Sequence, residues 1–301
     1  MSGHDHGSAQ VGRLSIALAI TVAILLTEAI GAALTGSLAL LIDAGHVLTD
    51  VAGLALALVA ARLTGLPATS HRTWGFARAE VLAATAQAAV LLGVGLFVLV
   101  EAVQRLVTPA EVPAGPLLVF GLVALAGNVA AVAVLAGGRR ANLNLRAAFL
   151  EVLNDALGAV GVVLAAVVIA TTGWTGADPL AAIMIGLLIV PRAFRLLRET
   201  VDVLMEAAPR GLDLDAVRDH LVRLPHVRGV HDLHVTQVSS ALPVLTAHVV
   251  IEDECFSDGH APEVLDELQA CVALHFPVSV DHATFQLEPP GHAAHEAEFH
   301  S

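Results

Sequence analysis

His46 and Asp50 stand four residues apart in Leu41-Ile42-Asp43-Ala44-Gly45-His46-Val47-Leu48-Thr49-Asp50, and Glu151 and Asp155 repeat that spacing in Ala148-Phe149-Leu150-Glu151-Val152-Leu153-Asn154-Asp155-Ala156. On a helix, residues i and i+4 stack on one face. Two such helices facing each other would offer one imidazole and three carboxylates, a donor set for a divalent metal cation. Both runs are otherwise apolar, and an acid at bilayer depth costs roughly 2.5–3.5 kcal/mol on insertion scales. A bound cation would compensate that cost directly.

The helices that must position these pairs are legible in the composition. The chain has 301 residues, 56% hydrophobic and only 14% charged, with a mean hydropathy of +0.76. That balance belongs to a polytopic membrane protein rather than a water-soluble globule. Apolar runs near residues 14–34, 38–61, 80–104, 115–137, 147–171 and 179–197 each approach the roughly 20 residues needed to cross the hydrocarbon layer. Six transmembrane helices are expected, the first being retained rather than cleaved as a signal.

All fifteen basic residues are Arg, and eleven precede the C-terminal region. With the N-terminus inside, Arg13, Arg62, Arg72, Arg78, Arg139, Arg140, Arg146, Arg192, Arg195 and Arg198 all face the cytoplasm, leaving only Arg105 outside. The excess of Arg on one side places both termini in the cytoplasm, the last three of these residues following the final span. The net charge of −13 argues against nucleic acid as a partner, which would want a basic face.

The remaining polar positions divide into groups. Residues 1–12 read as a flexible tail carrying His4 and His6, either a metal-collecting arm or a nonspecific terminus. The first span holds one acid, Glu28. Asp43 shares the stripe of His46 and Asp50, as a ligand, as a proton acceptor near the outer mouth, or as a helix-end carboxylate touching interfacial water. Gly158 and Gly161 would let another helix approach the fifth span closely. The sixth span, with few polar groups, reads as scaffold.

Past residue 203 the composition becomes that of a soluble domain, 204–290, followed by a disordered tail, 291–301. A helix capped by Asp213, strands over 227–238 and 242–251, a helix over 262–275 and a strand over 283–288 give the order αββαβ, a two-layer α+β arrangement. His234 and His248 fall on neighbouring strands and Glu288 at the end of the third, which suits zinc, although surface histidines also cluster by chance. Cys255 and Cys271 lack C-x-x-C spacing and read as reduced thiols without a role.

At this point the chain resembles the cation diffusion facilitators, in particular the bacterial cobalt-zinc-cadmium efflux branch and the vesicular zinc transporters. The resemblance rests on Ala39-Leu40-Leu41-Ile42-Asp43-Ala44-Gly45-His46-Val47-Leu48-Thr49-Asp50, Gly75-Phe76-Ala77-Arg78-Ala79-Glu80 and Asp155-Ala156-Leu157-Gly158-Ala159-Val160-Gly161-Val162. In the C-terminal region it rests on Val230-His231-Asp232-Leu233-His234-Val235 and Phe285-Gln286-Leu287-Glu288-Pro289. It implies a six-helix transmembrane bundle, 13–203, followed by a ferredoxin-like or metallochaperone-like cytoplasmic domain. It also implies a homodimer in a bacterial-type inner membrane that exports a divalent metal in exchange for protons by alternating access. By position it makes His46, Asp50, Glu151 and Asp155 the transport ligands, and His234, His248 and Glu288 a cytoplasmic site that His4 and His6 of the other subunit could complete. It further pairs Arg78 with Glu206.

The chain departs from the zinc-selective pattern at Glu151, where relatives carry His. Zinc, with cadmium and cobalt, remains the expected cargo, and zinc also the regulatory ion of the tail, while the added carboxylate makes the site more tolerant of manganese and iron. Arg72 and Phe76 replace metal ligands that some relatives carry in the loop after the second span, so no site is expected there. Among other functions, an intramembrane metalloprotease would need H-E-x-x-H, which the chain lacks. A passive metal channel would need a continuous polar path, and a metal sensor would not need six spans with buried ligands.

Overall fold

The computed structural model describes residues 4–64, 66–136, 143–239 and 242–292, without the side chains of 4–15, 53–58, 60, 61, 64 and 143–148. The elements are α1 (His4–Thr35), α2 (Leu38–Thr64), α3 (Ala79–Val107), α4 (Ala114–Ala136), α5 (Leu143–Thr172) and α6 (Ala177–Leu204), then α7 (Leu214–Leu221), β1 (Val227–Ser239), β2 (Leu242–Ile251), α8 (Cys255–Asp258), α9 (Ala261–Leu274) and β3 (His282–Glu288). Among the described residues, Ile16–Thr35, Ala79–Val107, Ala114–Ala136, Phe149–Thr172 and Ala177–Leu204 are long and apolar enough to span a bilayer. The sixth expected span corresponds to α2, 27 residues long. Two compact units result, one of residues 1–59 and 83–197, the other of 60–82 and 198–301.

In the first unit the helices pack through small residues. The buried stripe of α4, Leu117, Gly121, Ala124, Asn128, Ala131 and Leu135, advances by three or four residues at each step, one face of a helix. The shared core draws Leu38, Leu40 and Ile42 from α2, Val98 and Ala102 from α3, Ala165 and Ala166 from α5, and Ala182 and Ile185 from α6. Alanines at these contacts bring backbones close, which is how helices associate where lipid removes the hydrophobic drive. The opposite faces remain apolar, with Leu34 70% and Phe97 62% exposed, as expected of surfaces that meet lipid or another subunit.

The turn between α1 and α2 is held from a distance. Gly36 adopts φ +68°, the left-handed conformation that closes a helix C-terminus, and its N–H reaches Ala32 O at 2.9 Å. Asp178, fully buried at the start of α6, accepts the N–H groups of Leu38 (2.8 Å) and Ala39 (3.3 Å) and the Ser37 hydroxyl. It satisfies donors that would otherwise be orphaned at the N-terminus of α2. Arg105 donates to Gly36 O at 2.6 Å and to Glu101 at 3.0 Å.

Two expectations about these helices are corrected. The first helix begins at His4, inside the stretch expected as a flexible tail; the side chains of His4 and His6 lie outside the described residues. The last helix continues through Pro191 to Leu204, so Arg192, Arg195 and Arg198 lie on it rather than after it. Its apolar run stops near 190 while its helical backbone does not.

The second unit contains the αββαβ order. β1 and β2 form an antiparallel pair, β3 adds parallel to β2, and the sheet order is β1-β2-β3. Asp213 caps α7 by accepting the N–H groups of Asp215 and Ala216. Leu233, Val235, Leu245, Ala247, Val249 and Ile251 point to one face of the sheet, where Val217 and Leu221 of α7 and Val264, Leu268 and Val272 of α9 cover them. Cys255 and Cys271 are free and buried, and burial pushes both thiols up from their ordinary pKa. Residues 293–301 of the expected disordered tail lie outside the described residues.

In the segment before α3, the Arg72 guanidinium lies 4.4 Å above the Phe76 ring. Arg78 donates to Glu206 at 2.8 Å, with both side chains about half exposed. A pair this exposed contributes about 0–1 kcal/mol to stability, so its importance would lie in aligning the segments it joins. If the chain exports metal as the resemblance implies, Arg78→Glu should impair that export with little change in melting temperature. The exchange Arg78→Glu with Glu206→Arg should restore most of it, and a double variant as inactive as the single one removes the pair from the mechanism.

Candidate metal centre

α2 and α5 bring three of the four expected ligands together. His46 Nε2 lies 3.5 Å from Asp50 Oδ2 on its own helix and 3.6 Å from Asp155 Oδ1 on α5. Ligand atoms of all three residues fall within 4.8 Å of one another. His46 and Asp155 are 6% and 5% exposed. Gly158 makes the approach possible, since a Cβ at that position would meet Asp43 Oδ1 at 2.9 Å, closer than real side chains come. Gly161 faces only Ile185 at ordinary distance, so one of the two expected small residues governs this contact. A cavity of about 40 Å³ opens beside the cluster, lined by Asp43, His46, Asn154, Asp155 and Arg192 among others, room for an ion with little water.

Glu151, the fourth expected ligand, is placed differently. It lies one turn before Asp155 on α5, and its Oε1 accepts from Arg192 Nη2 of α6 at 2.8 Å. Arg192 escaped sequence reasoning because it sits beyond the apolar core of α6 and reads as a cytoplasmic flank. The expectation that the sixth span is scaffold alone is therefore corrected. Pro191 immediately before it was the one sequence signal of a special position.

Asp43 is only 2% exposed, lines the cavity and interacts with the buried Glu28 of α1. It is not a helix-end carboxylate bathed in interfacial water. The acid pair joins a third helix to the site, a link that Glu28 as an isolated acid in its span could not reveal.

On the outer face of the cytoplasmic sheet, His248 Nδ1 lies 2.9 Å from Glu288 Oε1, and His231 Nε2 lies 3.1 Å from Glu288 Oε2. These three residues form a group with metal-ligand spacing. His234, expected in that group, instead lies 2.9 Å from Asp232, whose other oxygen is 3.8 Å from His248. The cause is register, since His231 stands opposite His248 and His234 opposite Thr246; between them lies a bulge, where Asp232 takes φ 48° and three residues of β1 span two of β2. Strict alternation would put His231 and His234 on opposite faces; the extra residue turns both outward.

Two imidazoles and a carboxylate suit zinc. Glu288→Gln keeps the shape but removes the anion on which both imidazoles converge. It should weaken zinc binding to this domain by more than the roughly 10–100-fold that disturbing a ligand's support costs, measured by titration of the purified protein. Unchanged stoichiometry and affinity would remove Glu288 from the site.

Residues 14–205 match the family model described as the cation efflux transmembrane domain, and residues 209–290 match that of the cation efflux protein cytoplasmic domain. The chain is 38% identical over 285 residues to the metal cation efflux system protein CzcD of Cupriavidus metallidurans, covering 95% of this chain and 89% of that one. It is 38% identical over 293 residues to the zinc transporter ZitB of Escherichia coli, covering 95% and 91%. It is also 32% identical over 295 residues to a cadmium, cobalt and zinc/H(+)-K(+) antiporter of Bacillus velezensis, covering 96% and 93%. Apolar helices carrying a largely buried His46, Asp50 and Asp155 cluster, a small C-terminal sheet and likeness along nearly the whole length lead to one conclusion: the chain belongs to the cation efflux family, the cation diffusion facilitators of the zinc, cobalt and cadmium branch, which are multi-pass membrane transporters and not enzymes.

Proposed function

We propose that the protein exports a divalent metal from the cytoplasm in exchange for protons by alternating access. Zinc is the first cargo, with cadmium and cobalt beside it. The observation that carries this reading is the convergence of His46, Asp50 and Asp155 within 4.8 Å of one another on two membrane helices. The relatives named as zinc, cadmium and cobalt transporters support the choice of metal, and the one named as an antiporter supports the exchange.

His46 ligates only as neutral imidazole and the acids only as carboxylates, so binding releases protons and protonation releases metal. Glu151 completes the shell once it leaves Arg192. The extra carboxylate favours harder cations, which gives manganese or iron as the second reading. The protein works as a homodimer in a bacterial-type inner membrane, both termini in the cytoplasm, with His231, His248 and Glu288 holding a regulatory ion.

Uptake of zinc, cadmium, cobalt, manganese and iron by everted vesicles tests this directly. Accumulation should require an imposed proton gradient and collapse with it. Accumulation that follows the metal gradient alone would replace the antiporter with a passive channel.

A further inference from the structure

We propose that Arg192 is a tethered countercation that withholds Glu151 from the incoming metal and thereby sets the metal preference of the site. The proposal rests on the transport-site reading above. Glu151 adds a third carboxylate to those of Asp50 and Asp155, and no cation on α2 or α5 answers it among the described residues. Arg192 Nη2, reaching from α6 at 2.8 Å, does so. Three carboxylates against one guanidinium leave a formal charge of −2, the charge that two histidines and two aspartates would present to a metal. Glu151 and Arg192 together therefore restore the electrostatics of a zinc-type shell from different residues.

The two differ from a histidine in one respect. Glu151 is available to a cation only by giving up a charge-assisted hydrogen bond. A soft ion gains most of its affinity from the His46 nitrogen and little from one more hard oxygen. Manganese gains most from the third carboxylate, so it suffers most from having to separate Glu151 from Arg192. Arg192 also lines the cavity beside His46 and Asp155, where its positive charge opposes any cation at the cluster. Its exposure fits a movable role, since the side chain is 54% exposed and Glu151 32%. The guanidinium has room to swing away without repacking the helices.

The test is equilibrium titration of the full-length protein in detergent with zinc and with manganese, using Arg192→Gln, Arg192→Lys, Glu151→Gln and the double variant Arg192→Gln with Glu151→Gln. Arg192→Gln should tighten manganese binding on the order of tenfold and zinc binding less. Arg192→Lys, which keeps the charge, should stay near the parent, and the shift in preference should vanish when Glu151→Gln is also present. An unchanged zinc-to-manganese affinity ratio in Arg192→Gln overturns the proposal. So does an equal shift with and without Glu151→Gln, because Arg192 would then act as a field on the site and not through Glu151. Asp50→Ala separates the two readings. If it abolishes binding at the membrane site while Arg192→Gln changes nothing, the transport site stands and the role of Arg192 falls. If Asp50→Ala binds like the parent, the site itself is misplaced.

Discussion

Asp155→Ala abolishes metal transport while leaving the protein folded, the largest effect expected of any single change in this chain. Asp155 is the group by which α5 reaches His46 on α2, 3.6 Å away, and it is almost fully buried. Without it α5 keeps only Glu151, which Arg192 holds, and alternating access loses the buried contact that ties α5 to the ion. Changes that merely disturb ligand orientation cost roughly 10–100-fold in affinity, so loss of a ligand should exceed that. The metal-free protein should not suffer, because no described hydrogen bond of the fold depends on this carboxylate and its removal relieves acid crowding beside Asp50. Thermal unfolding separates the two effects. A bound ion at a hundred times its Kd stabilises the native state by about 2.7 kcal/mol, and Asp155→Ala should lose the part of the zinc-induced rise in melting temperature owed to the membrane site while keeping the metal-free value. Near-parental transport would exclude the cluster as the transport site, whereas a large fall in the metal-free melting temperature would make Asp155 a structural residue.

What could be read from the sequence was what depends on local periodicity. Long apolar runs mark the spans, and i, i+4 spacing puts His46 with Asp50 on one face of α2. Alternation over 227–238 and 242–251 gives the hairpin, and Asp213 the cap of α7. Contacts made across the fold were not legible in the same way. Asp178 caps a helix 140 residues earlier, and neither segment alone shows a need for the other. The register around the bulge at Asp232 sets His231 rather than His234 opposite His248, and a positive φ at an aspartate leaves no periodic trace by which to read that. Arg192 was visible as a residue but assigned to the wrong side of a boundary. Hydropathy measures where the apolar run ends, and α6 continues past that point as a helix.

Glu151→His should shift the preference of the transporter toward zinc and cadmium and reduce transport of manganese and iron, the second large effect expected. The substitution removes one carboxylate and supplies a softer nitrogen donor in its place. It also removes the acceptor of the hydrogen bond from Arg192, so the guanidinium is left beside a neutral ring and no longer holds the fourth ligand in place. With two imidazoles and two carboxylates around the ion, the donor set becomes the one to which zinc is best matched. Uptake by everted vesicles under a fixed proton gradient, with zinc and manganese supplied together, measures the ratio in one preparation. A rise in the zinc-to-manganese ratio on the order of tenfold is expected. If Glu151 stays on Arg192 throughout the cycle, the substitution changes the rate for both metals alike, and an unaltered ratio would show that the cation is held by His46, Asp50 and Asp155 without it.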